Sequence, residues 1–338
     1  AALARAIVAD LHRWRAETGP RRLVSIFFGG GTPSLMDAAY VGAIVDTAVE
    51  LWSAEADLEV SLEANPTDAE TSRFAAFAAA GVNRLSLGVQ ALDDEALAFL
   101  GRNHDAAAAM RAAERAAALF PRLSLDMIYA RPGQTPDGWA GELETGIALG
   151  AEHVSPYQLT IESGTPFDRA VGRGRFTPPD ADLGAELFET TQAVLEHHGF
   201  DAYEVSNHAR GEVARSRHNL VYWRGFDYVG AGPGAHGRLT LGGRCLATTA
   251  PRKIADYIEG RGFERETLTP LQAAEERLLL GLRIDEGVAF DEVGVLGLSA
   301  GKVRDLIEAG LLADDPRRLR ATRQGRLVLD RLTAELAS

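Results

Sequence analysis

Residues 23–34 read LVSIFFGGGTPS, a β-branched and aromatic run that ends in three consecutive glycines. The run has the composition of a strand, and the glycines that of a sharp loop leaving it. Outward from this stretch the texture repeats. Apolar runs at Leu23–Phe28, Leu58–Glu63, Arg84–Gln90, Leu123–Tyr129 and His153–Thr160 alternate with Ala-rich amphipathic segments near 37–53, 68–80, 93–101, 105–119 and 136–149. One strand–helix unit in roughly 30 residues predicts parallel strands joined by crossover helices, an α/β fold. VSIFF and LSLDMIY look almost continuously apolar, as in a parallel sheet buried on both faces. A helix over 3–17 precedes any strand. It fits either a first strand lying upstream of Ala1 or a simple decorating helix.

The texture changes after Pro178-Pro179. A helix at 181–198 leads into Phe200–Val205 and a Gly- and aromatic-rich stretch up to Gly237. Beyond Pro270, helices near 271–283 and 299–309 precede GLLADDPRRLRATRQGRLVLDRL at 310–332. Helix, strand, polar turn, strand and helix in that order resemble a winged helix, an α+β module that in nucleic-acid proteins can read DNA. Arg317, Arg318, Arg320, Arg323 and Arg326 make its wing basic. The expected division is 1–177, 178–268 and 269–338.

Bulk properties narrow the class. The 338 residues are 46% hydrophobic and 25% charged, a soluble globular balance. No apolar run approaches the ~18 residues that span a bilayer, and AALARAIVADLHRWRAE has no apolar core of a secretory signal. The expected location is the cytoplasm, with membrane contact only through a partner. The net charge of −13 argues against broad nucleic-acid binding, so the wing reads as an interaction or lid element. The single cysteine, Cys245, forms neither an internal disulfide nor a multi-cysteine metal site, and reads as a small buried residue.

Parallel α/β sheets place their chemistry in the loops after the strands. Gly29–Gly31 leave the backbone bare for a ligand, and Thr32 adds a hydroxyl; such a loop is also often only a turn, and no Gly-Lys-Ser/Thr follows to make a P-loop. Glu63 ends the second strand and suits the two hydroxyls of a ribose, or else is a solvated strand end. Gln90 ends the third with two donors and two acceptor sites. Arg102, in GRNH, suits a bidentate carboxylate. Asp126 interrupts an apolar strand and so must be paired or functional. Together they suit a polar zwitterion carrying a ribose.

With these residues in view, GGGTPS at 29–34, EANP at 63–66, GVNRLSLGVQ at 81–90, LGRNH at 100–104, LDMIYARPGQT at 125–135 and SPYQLTIESGTPF at 155–167 resemble the oxygen-independent coproporphyrinogen III oxidase-like family of radical S-adenosylmethionine (SAM) proteins. The similarity runs over nearly the whole chain. It implies a partial (βα)6 TIM-like barrel holding SAM against a 4Fe-4S cluster, with Gly30, Gly31, Thr32, Glu63, Gln90, Arg102 and Asp126 at SAM. In that family the cluster splits SAM into methionine and a 5′-deoxyadenosyl radical. The family's CxxxCxxC loop and the strand before it are expected upstream of Ala1, which would explain the opening helix; a cluster-less relative is the other reading. Ala130-Arg131 departs from the more usual Gly-Leu.

RHNLVYW, 217–223, resembles the HNxxYW signature of the family's haem-chaperone branch, HemW. His218 has the chemistry of an iron ligand, and Tyr222 and Trp223 that of a wall for a flat macrocycle; equally, His218 and Asn219 serve a turn while the aromatics fill a core. His236, in YVGAGPGAHG, is a second candidate ligand or a turn residue; His104 and His208 are polar contacts. The resemblance implies a chaperone that binds haem or porphyrin, SAM and a 4Fe-4S cluster, with an apo-haemoprotein acceptor and an electron donor as partners. The alternatives are radical decarboxylation of coproporphyrinogen III, and a catalytically silent binding module.

Overall fold

The computed structural model describes residues 1–337, with Asp68 described by its backbone alone. The elements follow the expected alternation: α1 (Ala2–Thr18), β1 (Arg22–Phe28), α2 (Ala38–Leu51), β2 (Ser53–Ala64), α3 (Asp68–Thr71), α4 (Phe74–Ala79), β3 (Arg84–Gln90), α5 (Asp94–Phe99), α6 (Ala106–Leu119), β4 (Arg122–Tyr129), α7 (Pro136–Ala148) and β5 (His153–Gln158). Then come α8 (Pro166–Gly172), α9 (Ala181–His197), β6 (Asp201–Glu204), β7 (Asn207–Ala209) and α10 (Arg217–Trp223). Seven strands form one mixed sheet in the order β1-β2-β3-β4-β5-β7-β6, curled as a partial barrel. β2 through β5 run parallel, whereas β7 is antiparallel to both β5 and β6. The sequence reading did not place the β6–β7 hairpin in the sheet. The single helix expected over 68–80 is two short helices.

The chain divides into two compact units, one of residues 28–35 and 61–215, the other of 1–27, 36–60 and 216–338. Within the first, strands read as apolar on both faces alternate instead. Register puts Ser61 beside Arg84, Glu63 beside Ser86, Ser86 beside Ser124, Ser124 beside His153 and Asp126 beside Ser155, all on one face. Leu62, Leu85, Leu87, Leu123, Leu125, Met127 and Val154 take the other face and are buried. Met127 and Tyr129 pack there with Trp139, Leu143 and Ile147 of α7 and with Leu187 and Leu195 of α9. Four serines, small enough to pass in an apolar run, hid a polar face.

In the second unit, α1 packs on α2, and Ile7, Leu11, Trp14, Val41 and Ile44 of these helices are buried. β8 (His236–Leu241), β9 (Arg244–Thr249), α11 (Ile254–Ile258) and β10 (Glu264–Thr267) follow, the strands forming an antiparallel sheet. The C-terminal module has α12 (Pro270–Gly281), β11 (Val288–Ala289), α13 (Ala300–Glu308), β12 (Arg318–Leu319), α14 (Arg323–Leu327) and α15 (Leu329–Ala337). β11 pairs with β12, and a Leu312–Ala321 bridge closes the wing. Two wing arginines serve the module itself. Arg318 donates to the Glu286 and Gly287 carbonyls at 2.6 and 2.9 Å, and Arg320 to the Asp285 carbonyl at 3.0 Å. Among the described residues no helix is long and apolar enough to cross a membrane.

Candidate functional site

The carboxyl ends of β1 to β5 carry the first cluster, within residues 28–35 and 61–215. Gly30 and Gly31 lie at φ 78° and 60°, the left-handed region glycine adopts without steric cost. This bends the loop so that the Gly30 N–H donates to Glu63 Oε2 at 2.9 Å. Burial raises the Glu63 pKa, and the Gly30 bond opposes the rise. Thr32 is half-buried in the same loop.

Glu70 holds that loop to the EANP loop, and sequence reasoning missed it. It is buried, and its carboxylate accepts from the Ser34 hydroxyl, from Asn65 N–H at 2.8 Å, from Asn65 Nδ2 at 3.3 Å and from the Thr67 hydroxyl at 3.2 Å. Arg73 adds a bond to the Ser34 carbonyl at 2.8 Å. Thr67-x-x-Glu70 was the available signal, but it reads as an ordinary helix start.

Asp126 is the electrostatic centre of this edge. Ser86 Oγ donates to its Oδ2 at 2.9 Å. Burial pushes its pKa up to about 7, with the Ser86 and Ser155 hydroxyls opposing the rise and the Glu63 charge adding to it. Gln90 ends β3 at φ 67°. Gly88 makes room for its side chain, since a Cβ there would lie 2.7 Å from Gln90 Nε2. His104 bonds the Val89 carbonyl at 3.2 Å and feels the charges of Arg102 and Glu70; burial, the larger effect, keeps its pKa low. Arg102 is exposed, and its guanidinium has no hydrogen-bond or ion-pair partner among the described residues. Gly30 and Glu63 thus touch, Glu63 and Asp126 interact electrostatically, and Gln90 and Arg102 flank the segment that His104 pins. Ala130 takes φ 60°, the left-handed region in which a glycine would carry no Cβ penalty. Arg131 is buried against Glu142, whose Oε1 also accepts the Leu92 N–H at 2.7 Å.

A second cluster lies in the unit of residues 1–27, 36–60 and 216–338. α10 opens on RHNLVYW, with Ser216 as its N-cap. Buried Glu59 accepts the Arg217 and His218 N–H groups at 3.2 and 3.1 Å. The His218 ring stacks on Phe27 at 3.8 Å between centroids and 5° between planes. Tyr222 meets it edge-on at 4.6 Å and contacts Tyr228 at 4.3 Å. Burial pushes the His218 pKa down to about 3, so the imidazole is neutral. Its nitrogens have no hydrogen-bond partner among the described residues. Trp223 lies beneath Arg283, 4.7 Å from its centroid, with a buried and unpartnered Nε1. His236 is exposed at the start of β8, 3.3 Å from the Thr249 hydroxyl; His208 is buried on β7; Cys245 is half-buried.

The clusters fit the implied groups unequally. Glycine N–H groups and carboxylates suit SAM, and a neutral imidazole with a free nitrogen suits haem iron. A 4Fe-4S cluster finds no such set: the 338 residues hold one cysteine, and among the described residues no group of three His, Cys, Asp or Glu could hold a metal ion.

Known proteins resemble this chain in sequence and in fold. The Radical SAM superfamily model matches residues 8–144, and the HemN C-terminal domain model residues 268–328. Radical S-adenosyl methionine domain-containing protein 1, mitochondrial, of Bos taurus is 40% identical over 358 residues, covering 100% of this chain and 81% of that protein. Heme chaperone HemW of Bacillus subtilis is 36% identical over 325 residues, covering 93% and 85%. In the solved structure of coproporphyrinogen III oxidase (HemN) from Escherichia coli, a radical SAM enzyme, the TM-score is 0.78 at 21% identity, with 100% of this chain and 82% of that one covered. At that identity the likeness is one of fold.

Proposed function

The chain belongs to the radical SAM superfamily, in the HemW branch of the coproporphyrinogen oxidase-like family, and we propose that it is a haem chaperone that receives haem at His218 and passes it to an apo-haemoprotein. One observation carries this reading: His218, inside RHNLVYW, is a neutral imidazole with neither nitrogen spent on a protein partner. A histidine serving only a turn would have a ring nitrogen bonded to it. The helix backbone is tied down separately by Glu59. Phe27 and Tyr222 pack against the ring, and its nitrogens would be available to bind haem iron.

SAM is proposed to lie along the carboxyl edge of the sheet, with its ribose at Glu63, its carboxylate at Arg102, and Gly30, Gly31, Thr32, Gln90 and Asp126 completing the contacts. The Gly30–Glu63 bond supports this by fixing one oxygen of the ribose acceptor. The 4Fe-4S cluster needs thiolates beyond the single Cys245, so no redox step is derived from these residues. An electron donor, an acceptor protein and a cytoplasmic location are part of the proposal, which involves no nucleic acid; fractionation decides between cytoplasm and mitochondrion.

The test is haem titration of the full gene product followed in the Soret band. A chaperone takes up haem and, supplied anaerobically with iron, sulfide, SAM and reductant, forms no protoporphyrinogen from coproporphyrinogen. Product formation without haem uptake would establish the oxidase instead. His218→Ala should abolish or shift the haem spectrum; an unchanged spectrum removes the ligand assignment.

A further inference from the structure

Among the described residues two non-glycine positions take left-handed backbone, and one carboxylate reaches the loops that hold both. Gln90 ends β3 at φ 67°, and around it the Ala91 N–H closes onto the Val89 carbonyl at 2.8 Å, a γ-turn of the rare and strained hand. Ala130 follows β4 at φ 60°. Such backbone persists where its surroundings over-determine it. The turn at Gln90 is gripped on both sides. Before it, His104 bonds the Val89 carbonyl at 3.2 Å; after it, the Leu92 N–H donates to Glu142 Oε1 at 2.7 Å. The other oxygen of Glu142 faces the loop after β4, where it accepts from the Arg131 guanidinium and from Gln134 Nε2 at 3.4 Å.

Glu142 is itself held in place. Arg131 is buried, Glu142 is its one ion-pair partner among the described residues, and its Nε and Nη1 have no hydrogen-bond partner there. A buried cation that lost this carboxylate would be left uncompensated, so the pair stays closed. α7, which carries Glu142, is fixed on the sheet by Trp139, Leu143 and Ile147, packed with Met127 and Tyr129. We propose that Glu142 is a positioning residue for Gln90: anchored by Arg131, it holds the left-handed turn through the Leu92 N–H and so sets where the Gln90 amide stands at the carboxyl edge of the sheet. That amide lies over Gly88, where a side chain would displace it, so its place follows from the backbone of the turn. The inference rests on the SAM reading for the identity of the ligand that Gln90 meets. A pair that only packed α7 against the sheet would leave that ligand unaffected.

The experiment compares two double variants of the full gene product, reconstituted anaerobically with iron and sulfide. Arg131→Leu/Glu142→Gln and Arg131→Leu/Glu142→Met both remove the buried charges, so neither strands one alone. Their side chains at 142 are of like length, and only the first keeps an oxygen for the Leu92 N–H. Hydrogen exchange of peptides covering 90–96, read without SAM, should be as slow in the first as in the wild type and about tenfold faster or more in the second. Calorimetric SAM titration should give the first an affinity within about threefold of the wild type and the second one roughly tenfold weaker, the size of one hydrogen bond. Equal SAM affinities in the two variants, whether kept or lost, overturn the proposal. Leu92→Pro, which deletes the N–H and leaves the pair, should weaken SAM alike, and it decides where the methionine variant does not fold. SAM that fails to bind the wild type sinks the ligand reading instead, and the exchange contrast then decides alone whether Glu142 holds the turn.

Discussion

Asp126 and His218 are both titratable groups that burial drives toward neutrality, in surroundings of opposite kind. Around Asp126 the neighbours are hydroxyls, an amide and carboxylates: Ser86 bonds Asp126 itself, and Ser155, Asn207 and Glu204 are hydrogen-bonded in series. Around His218 they are aromatic faces and edges, and the imidazole nitrogens have no hydrogen bond among the described residues. Low local polarizability suppresses charge in both. The first region spends its polar atoms on itself and fixes one ligand geometry; the second reserves a lone pair, which suits a metal-bearing guest.

The largest expected contrast is in pH dependence. Asp126 is raised from 3.8 to about 7, so it favours the folded chain fully below about pH 4 and that contribution is lost as pH rises toward 7. His218 is lowered from 6.5 to about 3, so its contribution is present above about pH 6.5 and lost as pH falls toward 3. Stability measured by urea unfolding across this range should therefore lose its alkaline-side decline in Asp126→Asn and part of its acid-side decline in His218→Phe. The comparison breaks if both substitutions flatten the same limb.

Next in size are two truncations, one in each region. Glu70→Ala strands the Asn65 N–H and leaves the Ser34 and Thr67 hydroxyls without their acceptor, at about 1–3 kcal/mol for each donor left dry, so about 4 kcal/mol in all is expected. Phe27→Ala removes a half-buried ring and its stacking, at about 2 kcal/mol. The second change should also shift the haem spectrum, because Phe27 stacks directly on the His218 ring, whereas Glu70→Ala should weaken SAM binding and leave the haem spectrum alone. Denaturation midpoints and two ligand titrations check both. Equal losses of both ligands in both variants would mean general unfolding and not two separate devices.

How much of this was legible follows from the range of each interaction. Strand and helix order through β5 came from local alternation, and the candidate residues at the strand ends were chosen because a strand end is a place one can read. The polar face was missed because Ser61, Ser86, Ser124 and Ser155 interrupt apolar runs too gently to register as a period of two. Glu70 passed for a helix start, since nothing nearby in sequence says that Ser34 folds onto it. Glu204 and Asn207 sit in a hairpin added antiparallel to a sheet whose earlier strands are parallel, a pairing no local pattern announces. Phe27 was read only as part of a strand, and its stacking on His218 is a contact between segments far apart in the chain.

The smallest effect tests where strain is kept. Among the described residues, Gln90 and Ala130 are the two non-glycine residues with positive φ, and both stand at strand ends of the Asp126 region. The His218 region has positive φ at glycines alone. Left-handed backbone costs an L-residue about 1–2 kcal/mol, persisting where neighbours over-determine it. At Ala130 the neighbours are the buried Arg131–Glu142 pair and the Tyr129 carbonyl, which accepts the Leu159 N–H at 2.8 Å. Ala130→Gly should therefore stabilise the chain by about 1 kcal/mol, read as a raised urea midpoint, with haem uptake unchanged. If instead it destabilises, the unfolded chain's gain in freedom outweighs the strain relieved, and the backbone at this edge is less strained than its φ implies.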